Sequence, residues 1–181
     1  MKIIRIRKLD RSILRQAAEF LVSGFRELSP KAWPDLKSAS REVRVCLAPD
    51  RICFGMVDKG VLFGWIGGIR KYGGHAWELH PLVVKGDQRL KGIGSSLVKA
   101  LENEVRKRGG VTVFLGTDDE TGRTTLANKD LYPDLCREIS RIRNLRGHPF
   151  EFYLKNGYKI TGVIPDANGP GKPDIFMAKR I

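Results

Sequence analysis

WELHPLVVKGDQRLKGIGSS, residues 77–96, carries an apolar run straight into a basic, glycine-punctuated turn and then into helical spacing. In Arg89-x-x-Gly92-x-Gly94, two positions lack side chains where backbone N–H groups converge at the start of a helix. Glycine permits both the turn and the close approach of an anion. Ile93, Leu97, Ala100, Leu101 and Val105 then recur at helical spacing through Arg108, so the amides of residues 90–96 lie at a positive helix end. Lys85, Arg89 and Lys91 add charge there. The glycines do not fit the dinucleotide G-x-G-x-x-G, and no Gly-Lys-Ser/Thr follows as in a P-loop, which points the turn at a phosphate other than that of NAD or ATP. A Gly-x-Gly at a strand-to-helix turn also has a purely conformational reading, and its surroundings must decide between the two.

Outward from this junction the chain reads as alternating strands and helices. Strand 2–7, helix 12–28, a Pro-interrupted link, helix 36–47 and strand 52–58 precede it. Strands 61–70 and 76–84 pair across Tyr72-Gly73-Gly74, and helix 92–108 stops at Gly109-Gly110. A buried strand at 111–117, helices near 130–142 and 149–156, and strands 158–164 and 174–180 complete the order. Hairpins at the front and helices between later strands predict an α/β fold with a mixed sheet covered by helices. With 181 residues, 41% of them hydrophobic, the chain reads as a single domain over 1–181.

Composition narrows the function classes. No stretch approaches the roughly 20 apolar residues of a membrane span, and MKIIRIRKLD is a charged, strand-like start, so the expected location is the cytoplasm. Cys46, Cys53 and Cys136 are odd in number and widely spaced, which suggests packing residues and neither disulfides nor a metal site; His75, His80 and His148 are likewise scattered. The net charge of +13 raises nucleic acid as a partner. The charge is spread along the chain without a reading element, so nucleic acid is not expected to be the partner.

These residues resemble the GCN5-related N-acetyltransferase (GNAT) family, whose pyrophosphate loop reads Gln/Arg-x-x-Gly-x-Gly/Ala after a central strand. Arg89, Gly92 and Gly94 match that loop, LHPLVV at 79–84 its central strand, and Phe152-Tyr153-Leu154-Lys155-Asn156-Gly157-Tyr158 its late FYxxxGY element. Within the family the chain is similar to the aminoglycoside 6'-N-acetyltransferase group of the enterococcal type, on WELHPLVV, RGG, LGTDD, TTL, NLR, HP, GYKI, ANG and KPDI. Residues before 50 match that group poorly beyond a Trp-Pro pair. The resemblance implies an acyl-CoA N-acyltransferase fold with splayed central strands, acetyl-CoA as cofactor and a homodimer. It also implies direct transfer to a primary amine in a ternary complex, with the 6'-amino group of aminoglycosides as the acceptor, and a role in antibiotic resistance. Cofactor contacts fall on Leu82, Val83, Val84, Arg89, Leu90, Lys91, Gly92, Ile93, Gly94, Ser95 and Tyr153.

Amine acylation needs a neutral amine, a donor to the carbonyl oxygen and a way to release the thiolate. Alternation puts Glu78, His80 and Leu82 on one side of their strand. Glu78 is the candidate to bind the amine and take its proton, with His80 as the other possible base. Leu82's N–H is the candidate donor to the thioester carbonyl, and Tyr153 the donor to the departing sulfur. Asp118 and Asp119 follow a strand end and could grip a polycation, while Trp33, Tyr72 and Trp77 could wall the acceptor pocket. Each of these also has a structural reading, as core aromatic or solvated loop. A +13 protein repels a cationic substrate unless local acidity dominates. This leaves open a different amine (polyamine, amino acid, peptide or protein) and, beyond catalysis, an acyl-CoA or nucleic-acid binding module.

Overall fold

The computed structural model describes residues 1–181. The elements are β1 (Lys2–Arg5), α1 (Arg11–Phe25), α2 (Leu36–Val45), β2 (Arg51–Asp58), β3 (Val61–Lys71) and β4 (Ala76–Val84), followed by α3 (Ile93–Lys107), β5 (Thr112–Asp118), α4 (Leu135–Ser140), α5 (Phe150–Lys155), β6 (Lys159–Ile164) and β7 (Asp174–Arg180). The strands form one mixed sheet in the order β1-β2-β3-β4-β5-β7-β6. The expected α/β class and element order hold, with ends moved by a few residues; the helix expected near 130–142 is a short 3-10 turn, Tyr132–Asp134, running into α4. No helix is long and apolar enough to cross a membrane.

Chain contacts divide the protein into two compact units, the first comprising 1–26, 30–113 and 180–181 and the second 27–29 and 114–179. In the first, β1 to β4 pair antiparallel in sequence order. One face is covered by α1 and α2: Ala17, Ala18 and Leu21 from α1, Ala39 and Val43 from α2 and Cys46 at its C-terminal end bury against Cys53, Val57, Leu62, Trp65 and Val83. The Trp65 indole N–H donates to the Ala17 carbonyl at 3.1 Å. Asp35 caps α2 by accepting from the Ser38 amide at 2.7 Å. On the other face α3 buries Leu97, Val98, Leu101 and Val105. It ends where Gly109 takes φ +79° and the Gly110 amide reaches the Val105 carbonyl. In the second unit β6 and β7 pair antiparallel, burying Val163, Ile175 and Met177. Cys46 and Cys53 are buried, but Cys136 is exposed on α4 and is not a packing residue.

The pairing of β3 with β4 contains the feature that positions the site. Gly68 pairs with Leu79 and Ile66 with Leu82, so the single residue Gly67 faces two, His80 and Pro81. This is a bulge, and an extra residue reverses which face every later side chain occupies. Before it, Glu78 and His80 lie on the α1/α2 face; after it, Val83 takes that face, in the α1/α2 core and close to Gly24. Leu82 pairs with Ile66 and Val84 with Gly64, and a Cβ on Gly64 would meet both Val84 and Ile93 of α3. Leu82 therefore points to the α3 face, which corrects the expectation that it shares a side with Glu78 and His80.

Candidate active site

Between β4 and α3 the chain makes a 3-10 turn, Gly86–Gln88. Leu90 has φ +63°, and Gly92, at φ +80°, is the residue that opens α3. The first helical bond runs from the Ser96 amide to the Gly92 carbonyl. The amides of residues 92–95 thus have no partner inside the helix, as at any helix start. A Cβ on Gly92 would meet nothing within 4 Å. Open space in front of converging, unpaired amides at a positive helix end fits a pyrophosphate. The Arg89 guanidinium turns back to the Val84 carbonyl at 3.5 Å, Lys91 reaches Gln88 at 3.3 Å, and Lys85 pairs with Asp87 at 3.5 Å. The side chains of Val83 and Ile93 are buried and that of Leu90 is exposed, so only the backbones of Val83 and Ile93 could serve the expected cofactor contacts.

On the α1/α2 face, Glu78 accepts an ion pair from Lys71 at 3.3 Å and is half-buried. His80 lies with its ring 5.7 Å from that of Trp33, which packs edge-on to Phe25 at 4.6 Å. Its Nε2 stands 3.8 Å from Glu42 on α2. The Cys46 thiol points at the His80 carbonyl, 3.7 Å away. The fold therefore brings Trp33, Glu42, Cys46 and His80 together, with Glu78 two residues along the same strand face. Glu42 and Cys46 were missed in the sequence: both read as ordinary positions of an amphipathic helix. Gly67 had a legible signal, because a glycine pair inside a strand marks a bulge or a close approach.

Of the aromatics expected at the acceptor pocket, Trp77 does not belong there. Trp77 is 1% exposed, on the opposite face from Glu78; its indole N–H donates to the Gly74 carbonyl at 3.1 Å and Arg108 lies over its ring. Alternation along β4 sends neighbouring side chains to opposite faces, so Trp77 serves the α3 side of the core. Tyr72 stands exposed in the β3–β4 turn.

In the second unit, Asp119 is 1% exposed, and its carboxylate accepts from the Arg123 and Thr124 amides at 2.7 Å each. Both oxygens close the loop after β5, which corrects its assignment as a substrate contact. Asp119→Ala is expected to cost about 2 kcal/mol or more, since two inward-facing amides lose their acceptor; a denaturant midpoint shifted by under 0.5 kcal/mol in equivalent stability would contradict this loop-closing role. Asp118, less buried, is joined by Asn168, and its carbonyl lies 3.1 Å from His148 Nε2. His148 Nδ1 accepts from the Phe150 amide, so Nε2 carries the proton and donates to Asp118. Burial holds this imidazole below its ordinary pKa, favouring the neutral form. The segments LGTDD, TTL, NLR and HP, scattered in sequence, thus form one hydrogen-bonded loop cluster. Tyr153 is buried on α5, its ring 5.1 Å from Phe152 and 5.7 Å from Tyr158. Burial raises its pKa above that of a free phenol, so at neutral pH it remains a proton donor.

The sequence profile of the acetyltransferase (GNAT) family matches residues 15–132. Comparison with curated proteins gave no match. Among solved structures, the chain is 44% identical to an aminoglycoside 6'-N-acetyltransferase complexed with coenzyme A, with a TM-score of 0.93 over 99% of this chain and 97% of that one. It is also 44% identical to the aminoglycoside 6'-N-acetyltransferase from Enterococcus faecium, at a TM-score of 0.90 and the same coverage. A ribosomal-protein-alanine N-acetyltransferase from Brucella melitensis, 15% identical with a TM-score of 0.69, shares the fold.

Proposed function

Because the chain belongs to the GNAT acetyltransferase family, we propose that it moves the acetyl group of acetyl-CoA to the 6'-amino group of aminoglycosides, by direct transfer in a ternary complex. The observation that carries this reading is the 44% identity, across 99% of the chain, to an aminoglycoside 6'-N-acetyltransferase holding coenzyme A. We take residues 1–181 as one catalytic domain and, from the family resemblance, as a cytoplasmic homodimer that confers antibiotic resistance.

The amides of Gly92, Ile93, Gly94 and Ser95, with Leu90, Lys91 and Arg89 in the same turn, would hold the pyrophosphate, and the backbone of Leu82 to Val84 and Tyr153 would hold the rest of the cofactor. When bound, acetyl-CoA supplies an acetyl group activated as a thioester. Glu78 attracts the acceptor ammonium and takes its proton, directly or through water, with Lys71 holding the carboxylate in place. His80, on the same face, is the other base within reach of that amine. The Leu82 N–H donates to the carbonyl oxygen, and the Tyr153 phenol, protonated at neutral pH, donates to the departing sulfur. Trp33 lines the acceptor side. Asp118, at the end of β5, adds negative charge on the second unit.

The test is thiol release from acetyl-CoA by purified protein. Saturable turnover with 6'-amino aminoglycosides at micromolar KM is expected. Glu78→Gln is expected to lower kcat/KM at least tenfold, about 1.4 kcal/mol of transition-state stabilisation, with acetyl-CoA affinity held within a few-fold. Equal turnover by the two proteins would remove Glu78 from the chemistry. The net charge of +13 favours a less cationic acceptor, such as an amino acid or peptide, and release with those, or with polyamines, but not with aminoglycosides would select a different amine as the acceptor.

A further inference from the structure

Glu42 faces the acceptor side without a cationic partner of its own. On α2 it precedes Val43 and flanks the buried stripe of Ala39, Val43 and Cys46, which turns its carboxylate toward β4. The side chain is 22% exposed. Its one ion-pairing neighbour within 4.0 Å is the His80 imidazole, at 3.8 Å, beyond hydrogen-bond length. The chain has 33 Lys and Arg against 20 Asp and Glu, so cations to neutralise a half-buried carboxylate are plentiful. At Glu78, Lys71 does so. At Glu42 the neighbouring groups are an imidazole and, beyond it, the Trp33 indole.

We propose that Glu42 is a specificity-determining residue of the acceptor site. It is a second carboxylate, beside Glu78, that holds a second ammonium of the acceptor against the His80 and Trp33 rings. The preferred acceptor then carries at least two amines. This rests on the acetyltransferase reading and removes its electrostatic difficulty. Charges more than about 8 Å away are largely screened at physiological salt. The repulsion from +13 spread over the surface is therefore weak at the site, and with Glu78 balanced by Lys71 the uncompensated carboxylate of Glu42 sets the local sign. The Trp33 face adds attraction for a cation. Lys71 is already engaged by Glu78.

The experiment uses full-length protein with coenzyme A present and titrates a polyamino 6'-amino aminoglycoside calorimetrically into wild type, Glu42→Gln and Glu42→Asp, with turnover measured in parallel. Glu42→Gln is expected to weaken aminoglycoside affinity about tenfold and to raise KM by a similar factor, with the loss in KM and not in kcat. Glu42→Asp keeps the charge and is expected to restore most of the affinity. Affinity unchanged in Glu42→Gln overturns the proposal. So does a fall in kcat at constant KM, which would make Glu42 a residue that merely positions His80. If wild type binds the aminoglycoside but releases no thiol, the proposed function fails, while a tenfold affinity difference still upholds Glu42 as an ammonium-binding residue.

Discussion

Gly92→Val is expected to weaken coenzyme A binding at least thirtyfold, about 2 kcal/mol, in a protein that still folds. Two effects act in the same direction. Gly92 has φ +80°, a left-handed conformation that costs an ordinary residue of order 1–2 kcal/mol and a β-branched one more. Relief of that strain rotates the peptide units on either side, whose N–H groups are the ones proposed to hold the phosphate. The new isopropyl group also enters the open space beside Gly92, where the proposed pyrophosphate would approach. Gly92→Ala, which adds one methyl and less strain, should fall between. The measurement is coenzyme A affinity by calorimetry, with thermal unfolding as the control for fold. Affinity within threefold of wild type would remove the phosphate role from this turn and return Arg89-x-x-Gly92-x-Gly94 to its conformational reading.

Gly67→Ala is expected to destabilise the fold by about 3 kcal/mol and to lower turnover with it. A Cβ built at Gly67 falls 2.3 Å from the His80 carbonyl oxygen and 2.5 Å from the Cys46 sulfur. The first of these atoms is backbone and cannot swing aside. Overpacking a closed site costs typically 1–3 kcal/mol, with the upper end reached when no flexible group can yield. The clash lies at the bulge where one residue of β3 faces two of β4, so any relaxation displaces His80 along with its contacts to Trp33 and Glu42. Stability by denaturant titration and kcat should fall together. A loss under 1 kcal/mol would show that β4 tolerates a side chain there and that the close approach is not required.

Much of the molecule was legible in the residues. The bounds expected for β4, 76–84, and for β7, 174–180, are those observed. The strand, basic glycine turn and helix of residues 77–108 lie where the spacing placed them, closed by Gly109 and Gly110. Alternation correctly put Glu78 and His80 on one side of β4, where both are half-exposed. It did not reveal that the bulge opposite Gly67 sends Leu82 to the other face. Burial alone looks the same on both faces of a sheet covered on each side. Asp119 read as a polar loop residue open to a ligand, because an acidic run has the same composition whether its carboxylates face water or backbone amides.

The sequence by itself determined the order of elements and the strand, glycine turn and helix of residues 77–108. All of these depend on spacings of two to four residues within a single element or across one turn, where local sterics and hydrogen bonding dominate. Only the tertiary structure decided which side chains share a face and which carboxylates are free. The bulge needs the register of two strands, and the meeting of Glu42 with His80 needs α2 laid over β4, 38 positions on in the chain. Such contacts are set by packing between distant segments, which no local pattern encodes.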